Sequence, residues 1–268
     1  MLKYFSYLLS ATLGIYLLIF LLSIYIFLNP KQTFLHIYNF IQITVFFFHT
    51  VLLIIRTIFL GHAPMASLFD SLLFYSWSIS LVSFTMYLRY HEQTLSLLSV
   101  PVIFITLLKS YFSPQLIQPL SPALQTLWFE THVSTSFISY GLFTLGFSAG
   151  VLYLIKLKNK ALICNFISPL PVVEKLVYRL CAWGFFLFTI AMTSGGIWAY
   201  LAWSNYFIWT PKELFSVILW LYYSTYLHAR YTSGWQGRKT AYLAIGGFIL
   251  VIFTYLGISL LMRSSHSF

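Results

Sequence analysis

Long apolar runs recur along nearly the whole of this 268-residue chain, and they constrain its fold more than any other feature. The hydrocarbon core of a bilayer is about 30 Å thick, so a spanning helix needs roughly 20 apolar residues. Only helices and closed barrels cross that core without leaving backbone polar groups unpaired. Because the runs are continuous rather than alternating, they favour helices over barrel strands. The sequence therefore predicts an all-α, polytopic membrane protein.

The apolar runs predict about eight transmembrane helices, which leave no room for a separate soluble domain. Residues 1–268 are thus expected to form a single integral membrane domain. The first run is too long for a signal-peptide core and has no small-residue cleavage site after it, so it is expected to be retained. Segments 112–132 and 156–176 are expected to be loops or short surface helices. The predicted spans are residues 4–28, 34–55, 70–88, 95–112, 133–157, 177–199, 212–230 and 240–262.

The formal net charge of +10 indicates topology once its distribution is considered. Assigning the loops alternately to the two sides gives five of the fifteen basic residues to one side: Lys3, Arg56, Lys109, Lys212 and Arg263. The other side receives ten: Lys31, Arg89, Lys156, Lys158, Lys160, Lys175, Arg179, Arg230, Arg238 and Lys239. The positive-inside rule makes this second side cytoplasmic.

This assignment predicts that both termini and the 199–212 loop lie on the outer or periplasmic side of a cytoplasmic (inner) membrane or a thylakoid-type equivalent. The basic residues are accounted for by membrane lipid and topology, so nucleic acid is not an expected partner. The two cysteines, Cys164 and Cys181, form no CxxC pair and no zinc pattern. Because a CxxCH motif is also absent, the chain is not itself a c-type cytochrome.

Aromatic residues crowd the predicted outer loop, where four rings (Trp203, Tyr206, Phe207 and Trp209) fall within seven residues. Tryptophan often marks the membrane–water interface, so an aromatic belt is one interpretation. A belt, however, spreads its rings over several helix ends. Trp198, Trp203, Phe207 and Trp209 would instead suit a large, flat, apolar ligand, whose acidic edge could meet Lys212 or Arg263.

The residues after this loop predict the start of a helix. Thr210 has the preferred type for an N-cap, Pro211 suits the first helical position, and Glu213 lies three residues after the cap. This capping box explains the sequence Thr-Pro-Lys-Glu without any functional role.

Two histidines flank the aromatic loop on the predicted outer face. His132 stands at the expected mouth of the fifth helix, and His266 follows the eighth. Two neutral imidazoles from different elements can bind a haem iron from opposite axial sides, which leaves the flat faces of the haem to aromatic contacts. Each could instead be a polar residue at a helix end.

Two further histidines lie within predicted spans. His228 lies toward the cytoplasmic end of the seventh helix, where an ionisable residue is a functional candidate. It could also extend to the head groups beside Arg230. His49 lies deeper, in the second helix, and could be a metal ligand or could form a helix-packing hydrogen bond.

Four separated segments resemble, in the correct order, cytochrome c assembly proteins of the CcsA/ResC type. That family shares a tryptophan-rich external loop with CcmC, CcmF and HemX proteins. The matching segments are "RTIFLGHAPMASLFDSLLFYSWSIS", "THVSTSFISYGLFTLGFSAGVLYLIK", "GGIWAYLAWSNYFIWTPKELFSVILWLYYSTYLHAR" and "YLGISLLMRSSHSF".

The resemblance implies a haem-handling membrane subunit for c-type cytochrome biogenesis, and it leaves open whether this subunit is part of a cytochrome c synthase (haem lyase). His132 and His266 match the external axial ligands of haem b, and His228 matches a membrane histidine that relays haem outward. The porphyrin would contact Trp198, Trp203, Phe207 and Trp209. The family presents reduced haem to the CxxCH motif of an apocytochrome c for thioether attachment. A ResB/Ccs1-type membrane subunit is the implied partner.

The loop departs from the family pattern at Ser204, Phe207 and Thr210, where the family has glycine, tryptophan and aspartate. Phe207 keeps a stacking ring, whereas Thr210 keeps the helix cap but removes a charge. An alternative is therefore a HemX-like membrane protein that regulates or scaffolds tetrapyrrole synthesis without ligation activity. A small-molecule transporter is less favoured, because no hydrophobic segments are broken at matching positions in two halves.

Overall fold

The computed structural model describes residues 2–92, 94–117, 119–158 and 162–257. No strand occurs in these residues, which confirms the predicted all-α class. Short 3₁₀ turns occupy Pro122–Leu124 and Leu162–Asn165, and a π-helical turn, Phe253–Gly257, follows the last α-helix. The α-helices are α1 (Leu2–Leu28), α2 (Gln32–Leu60), α3 (Leu68–Tyr90), α4 (Leu95–Tyr111), α5 (Leu127–Lys158), α6 (Leu170–Trp203), α7 (Pro211–Tyr231) and α8 (Arg238–Ile252).

Six helical segments are long and apolar enough to cross a membrane, as expected of a polytopic membrane protein. They are α1, α2, α3, α5, α6 and Arg238–Gly257, which contains α8. The other two predicted spans also correspond to helices, but α4 has only 17 residues. The charged ends and aromatic hydroxyls of α7 lower its hydropathy, and it is not among the six.

Two helices begin well before the predicted membrane spans. Helix α5 begins at Leu127 rather than 133, and α6 begins at Leu170 rather than 177. The hydroxyl of Thr126 accepts a hydrogen bond from the backbone N–H of Phe129 at 3.2 Å, which pairs one of the free N–H groups at the start of α5. Hydropathy locates the edge of the apolar layer, whereas these helices continue beyond it. His132 therefore lies in the second turn of α5 instead of at its mouth.

The chain divides into two compact units. Unit 1 comprises residues 1–119 and 154–172 and contains α1 to α4. Its interior is rich in small hydroxyl side chains, several of which donate to carbonyls of their own helix. Small residues allow close helix packing in a membrane, where apolar side chains gain nothing by leaving lipid. Buried examples are Ser76, Ser80 and Ser83 on α3, and Ser96, Ser99, Thr106 and Ser110 on α4.

A buried ion pair joins the end of α2 to the start of α3. Arg56 is fully buried, and its Nε donates to Oδ1 of Asp70 at 2.8 Å. Its Nη2 donates to the carbonyl of Leu116 at 2.8 Å, and the ring of Phe69 lies 5.0 Å from the guanidinium carbon. Arg56, which the charge count assigned to a loop, is thus a structural residue of the unit 1 interior.

Unit 2 comprises residues 120–153 and 173–268, and its described part contains most of α5, most of α6, and α7 and α8. Phe143 of α5 stacks on Tyr223 of α7, with ring centroids 3.6 Å apart. The hydroxyl of Ser139 donates to the carbonyl of Gly184 at 2.7 Å, which ties α5 to α6. Trp220 Nε1 donates to Thr189 Oγ1 at 3.0 Å. These contacts fix α5, α6 and α7, the helices that carry the described candidate site residues.

Candidate functional site

The imidazole of His132 is held in one orientation by the backbone of α6. Its Nδ1 lies 2.7 Å from the carbonyl oxygen of Ala191. A carbonyl can only accept, so Nδ1 carries the hydrogen and donates it. In the neutral ring this leaves the lone pair on Nε2, the arrangement that a metal-binding histidine requires. The side chain is half-buried in the second turn of α5.

This contact depends on a glycine in α6. A Cβ added to Gly195 would lie 2.5 Å from Nδ1 of His132 and 2.8 Å from Cε1. Those separations are far below van der Waals contact, so an alanine would displace the ring or the helix. The importance of Gly195 was not predicted from the sequence. The sequence does contain one sign of it, the pair Gly195-Gly196 within an apolar helix. Each glycine is about 1 kcal/mol less favourable there than alanine, so a pair indicates a position where a side chain would not fit.

Trp198 lies beside the imidazole of His132, and two further aromatic rings contact Trp198. The ring of Trp198 lies nearly parallel to the imidazole, with centroids 6.2 Å apart and an interplanar angle of 18°. Trp203 contacts Trp198 edge to face at 4.9 Å, and Phe129 contacts it at 5.3 Å. The indole N–H of Trp198 donates to the carbonyl of Ala123 at 2.8 Å, which fixes the ring. The structure thus brings together His132, Trp198 and Trp203, with Phe129 as a member that was not predicted.

The loop between α6 and α7 is shorter than expected, since α6 extends to Trp203. Ser204 and Trp209 both adopt positive φ angles of 58°, which is unfavourable by about 1–2 kcal/mol for a side chain such as tryptophan. Phe207 and Trp209 pair with centroids 5.7 Å apart. Trp209 is nevertheless 68 % exposed and Phe207 39 %. Exposed large apolar side chains in succession are typical of a surface that contacts a ligand, a protein or lipid.

Glu213 organises this loop from the first turn of α7. The predicted capping box is confirmed: Thr210 Oγ1 accepts from the Glu213 N–H at 3.3 Å, and Glu213 Oε2 accepts from the Thr210 N–H at 3.0 Å. The same carboxylate oxygen also accepts from the N–H of Ile208 at 2.9 Å. One carboxylate therefore pairs backbone groups on both sides of Trp209.

Replacing Glu213 with alanine is expected to lower the free energy of unfolding by about 1–2 kcal/mol, because two backbone N–H groups lose a charged acceptor. The loop should also become more sensitive to limited proteolysis. Glu213→Gln is the control, since its amide oxygen can still accept and its loss should be smaller. If both variants match the wild type in thermal unfolding and proteolysis, Glu213 does not order this loop.

The remaining predicted residues lie elsewhere. His228 is exposed in the last turn of α7, 17 residues after Pro211 and therefore about 26 Å along the helix axis from the aromatic loop. Arg230, two residues after His228, forms an ion pair with Glu174 of α6. Lys212 is half-buried at the start of α7. His266 and Arg263 lie outside the described residues.

His49 belongs to unit 1 and is fully buried. Its Nδ1 lies 3.4 Å from the hydroxyl of Tyr16, a contact of the helix-packing type. Within the described ranges, no group of three or more His, Cys, Asp or Glu side chains is arranged to hold a metal ion. His132, by contrast, has its Nδ1 bonded to the carbonyl of Ala191 and its ring beside Trp198, next to the aromatic loop.

Comparison with known proteins gives a consistent result. Residues 65–266 match the family model described as cytochrome C assembly protein. The chain is similar to CcsA, a cytochrome c biogenesis protein, of Chlamydomonas reinhardtii, with 37 % identity over 222 residues covering 78 % of this chain and 61 % of that relative. CcsA of Prochlorococcus marinus strain AS9601 is 32 % identical over 236 residues, covering 78 % and 76 %. CcsA of Porphyra purpurea is 33 % identical over 252 residues, covering 78 % and 79 %.

A solved structure has a similar fold. The chain named Cytochrome c Heme Lyase CcmF superposes with a TM-score of 0.67 at 16 % identity, covering 94 % of this chain. This chain spans 48 % of the length of that protein and 61 % of the Chlamydomonas relative.

Proposed function

We propose, because the chain belongs to the cytochrome c assembly protein family, that it is a haem-handling membrane subunit of c-type cytochrome biogenesis. The observation that carries the proposal is the state of His132. Its Nδ1 is bonded to the carbonyl of Ala191, its Nε2 keeps a lone pair, and its ring lies against Trp198. A fixed neutral imidazole beside large aromatic rings has the chemistry that binds the iron and the face of a haem.

Haem b is the proposed substrate, and His132 and His266 are its proposed axial ligands. Trp198, Trp203, Phe207 and Trp209 would contact the porphyrin, whose reactive vinyl groups supply the chemistry of thioether attachment. The residues of this chain bind, orient and shield that substrate. The carbonyl of Ala191 prevents the imidazole from rotating and increases its basicity, since it accepts the second ring hydrogen.

The distribution of charge in unit 2 supports the proposed orientation. Trp203 and the aromatic loop lie where α6 ends and α7 begins, and His132 contacts the second half of α6 from the second turn of α5. The start of α6, the end of α7 and the start of α8 carry basic residues: Lys175, Arg179, Arg230, Arg238 and Lys239. By the positive-inside rule, this basic end would be cytoplasmic and the aromatic end outside.

His228 lies at the basic end of α7, where haem from the cytoplasmic side would first meet unit 2, and we assign it the relay role. At the outer end, an apocytochrome c with a CxxCH motif would receive the haem. A ResB/Ccs1-type subunit in the cytoplasmic or thylakoid-type membrane would complete the synthase.

The absorption spectrum of the purified protein tests this function. Protein from cells that produce ample haem should carry a stoichiometric chromophore with sharp α and β bands after dithionite reduction, because two imidazoles give low-spin iron. A membrane protein of similar size from the same cells and detergent controls for adventitious haem. A colourless protein that also fails to take up added haem would reject the proposal and favour the HemX-like alternative.

A further inference from the structure

The loop between α7 and α8 presents aromatic and basic side chains that no step of the haem proposal requires. Tyr231, the last residue of α7, is 91 % exposed, and Trp235 in the loop is 38 % exposed. Arg238 and Lys239, at the start of α8, are exposed as well. Two large rings and two cations are thus open to the surroundings within nine residues. We call these four residues the α7–α8 surface.

The end of α7 holds this loop in a fixed conformation at Trp235. The backbone N–H of Trp235 donates to the carbonyl of Ala229 at 3.1 Å. The carbonyl of Trp235 accepts from Nη1 of Arg230 at 3.2 Å, and the same guanidinium pairs with Glu174 of α6. Both backbone polar groups of Trp235 are therefore bonded within unit 2. Because the loop is already ordered, little conformational freedom is lost when its side chains meet a partner.

Carboxylates do not offset the two cations of the α7–α8 surface. Glu174 is already engaged by Arg230, and no acidic residue follows Glu213 in the sequence. Nζ of Lys239 lies 5.0 Å from the centroid of the Trp235 ring, a cation–π contact that keeps the ammonium group beside the indole. This contact leaves the positive charge of Lys239 in place, so the surface can still attract an anion.

The position of the α7–α8 surface along the chain indicates its partner. The helical segment that begins at Arg238 is long and apolar enough to cross a membrane, so the residues just before it lie at the boundary of the apolar layer. Tyrosine and tryptophan favour that boundary, where the ring meets apolar groups and its polar atom meets water. Basic residues at the same depth are attracted to anionic lipids. Protein-binding surfaces, by contrast, are usually poor in lysine.

We propose that the α7–α8 surface binds the head groups of anionic phospholipids. Arg238 and Lys239 contact the lipid phosphates, and the rings of Tyr231 and Trp235 lie between neighbouring head groups. This binding goes beyond the haem function and does not depend on it. Each basic residue near an anionic membrane surface strengthens binding by about fivefold. In the contrasting case, anionic lipid gathers around every basic loop of the chain alike, and the α7–α8 surface has no preference of its own.

Fluorine NMR of the full-length protein in lipid nanodiscs tests the proposal. The protein is labelled with 5-fluorotryptophan, and the signal of Trp235 is assigned with Trp235→Phe. Stepwise replacement of phosphatidylcholine by phosphatidylglycerol should shift this signal until the shift saturates. In the double variant Arg238→Gln/Lys239→Gln, the phosphatidylglycerol fraction at half-saturation should rise by at least about fivefold, because two cations are lost. A Trp235 signal that does not respond to phosphatidylglycerol in the wild type would overturn the proposal.

The double variant Lys31→Gln/Arg89→Gln is the matched control. Both residues are exposed in unit 1, and the charge count assigns them to the same side of the membrane as Arg238 and Lys239. The control therefore removes the same charge from the same predicted side, away from the α7–α8 surface in sequence. It should keep the half-saturation of the wild type. An equal rise in the two double variants would show that total charge attracts the lipid, and would overturn the assignment to this surface.

A soluble anion with the same chemistry separates lipid from other phosphate compounds. Glycerol phosphate, added at millimolar concentration to the wild type in phosphatidylcholine nanodiscs, should leave the Trp235 signal unchanged. The two rings gain from head-group contacts only when the phosphate belongs to a membrane surface. A saturable shift with glycerol phosphate would instead assign the surface to a soluble phosphate ligand and would reject lipid binding. This measurement needs no substitution at Arg238 or Lys239.

Discussion

Changing His132 to alanine is expected to abolish the low-spin haem spectrum and to weaken haem binding by at least about 10- to 100-fold. That range is seen even when only the supporting partner of a metal ligand is removed. Nε2 of this imidazole keeps its lone pair beside Trp198, so its loss would remove one of the two proposed axial ligands. The measurement is the haem-to-protein ratio after purification, together with titration of added haem.

Exogenous imidazole distinguishes loss of a ligand from loss of structure. Truncation to alanine leaves a space next to Trp198 that free imidazole can enter, and the reduced α band should then return. His36→Ala is the matched control, because His36 is an exposed histidine on α2 of unit 1. An unchanged spectrum in His132→Ala, or the same loss in His36→Ala, would remove His132 from the ligand set.

The sequence predicts the helices well, because an apolar run of membrane length must pair its backbone polar groups internally and only a helix or a closed barrel does so. It also predicts the start of α7, since the capping box at Thr210 and Glu213 is a local device confined to a few residues. The starts of α5 and α6 are less well predicted. Both helices continue into polar sequence beyond the apolar layer, where hydropathy no longer reports helix structure.

Tertiary contacts account for what the sequence does not reveal at the candidate site. The types of His132, Trp198 and Trp203 suggest a haem site, but no pattern in the sequence pairs an imidazole with the carbonyl of Ala191, 59 residues away. That pairing arises from the packing of α5 against α6. The same holds for Arg56, which looks like a loop cation in sequence and is a buried partner of Asp70 in the fold.

Gly195→Ala is expected to weaken haem binding by about 10- to 100-fold, the range found when a metal-binding histidine loses its supporting partner. The added methyl would lie 2.5 Å from Nδ1 of His132. The ring must then move away from α6, and its hydrogen bond to Ala191 is lost. The imidazole remains present but is no longer held in one tautomer and orientation. Gly195 is thus a positioning residue for the proposed ligand.

Gly196→Ala provides a closely matched control. The two glycines are adjacent in α6, and alanine at either position should favour the helix by about 1 kcal/mol. The nearest atom to a Cβ at Gly196 is the carbonyl oxygen of Tyr206 at 3.8 Å, an ordinary contact. Gly196→Ala should therefore keep the wild-type spectrum and haem affinity.

Combining Gly195→Ala with His132→Ala should weaken binding no further than His132→Ala alone, because the methyl acts only through that ring. Equal affinities of the two single glycine variants, or additive losses in the double variant, would show that Gly195 does not act by positioning His132.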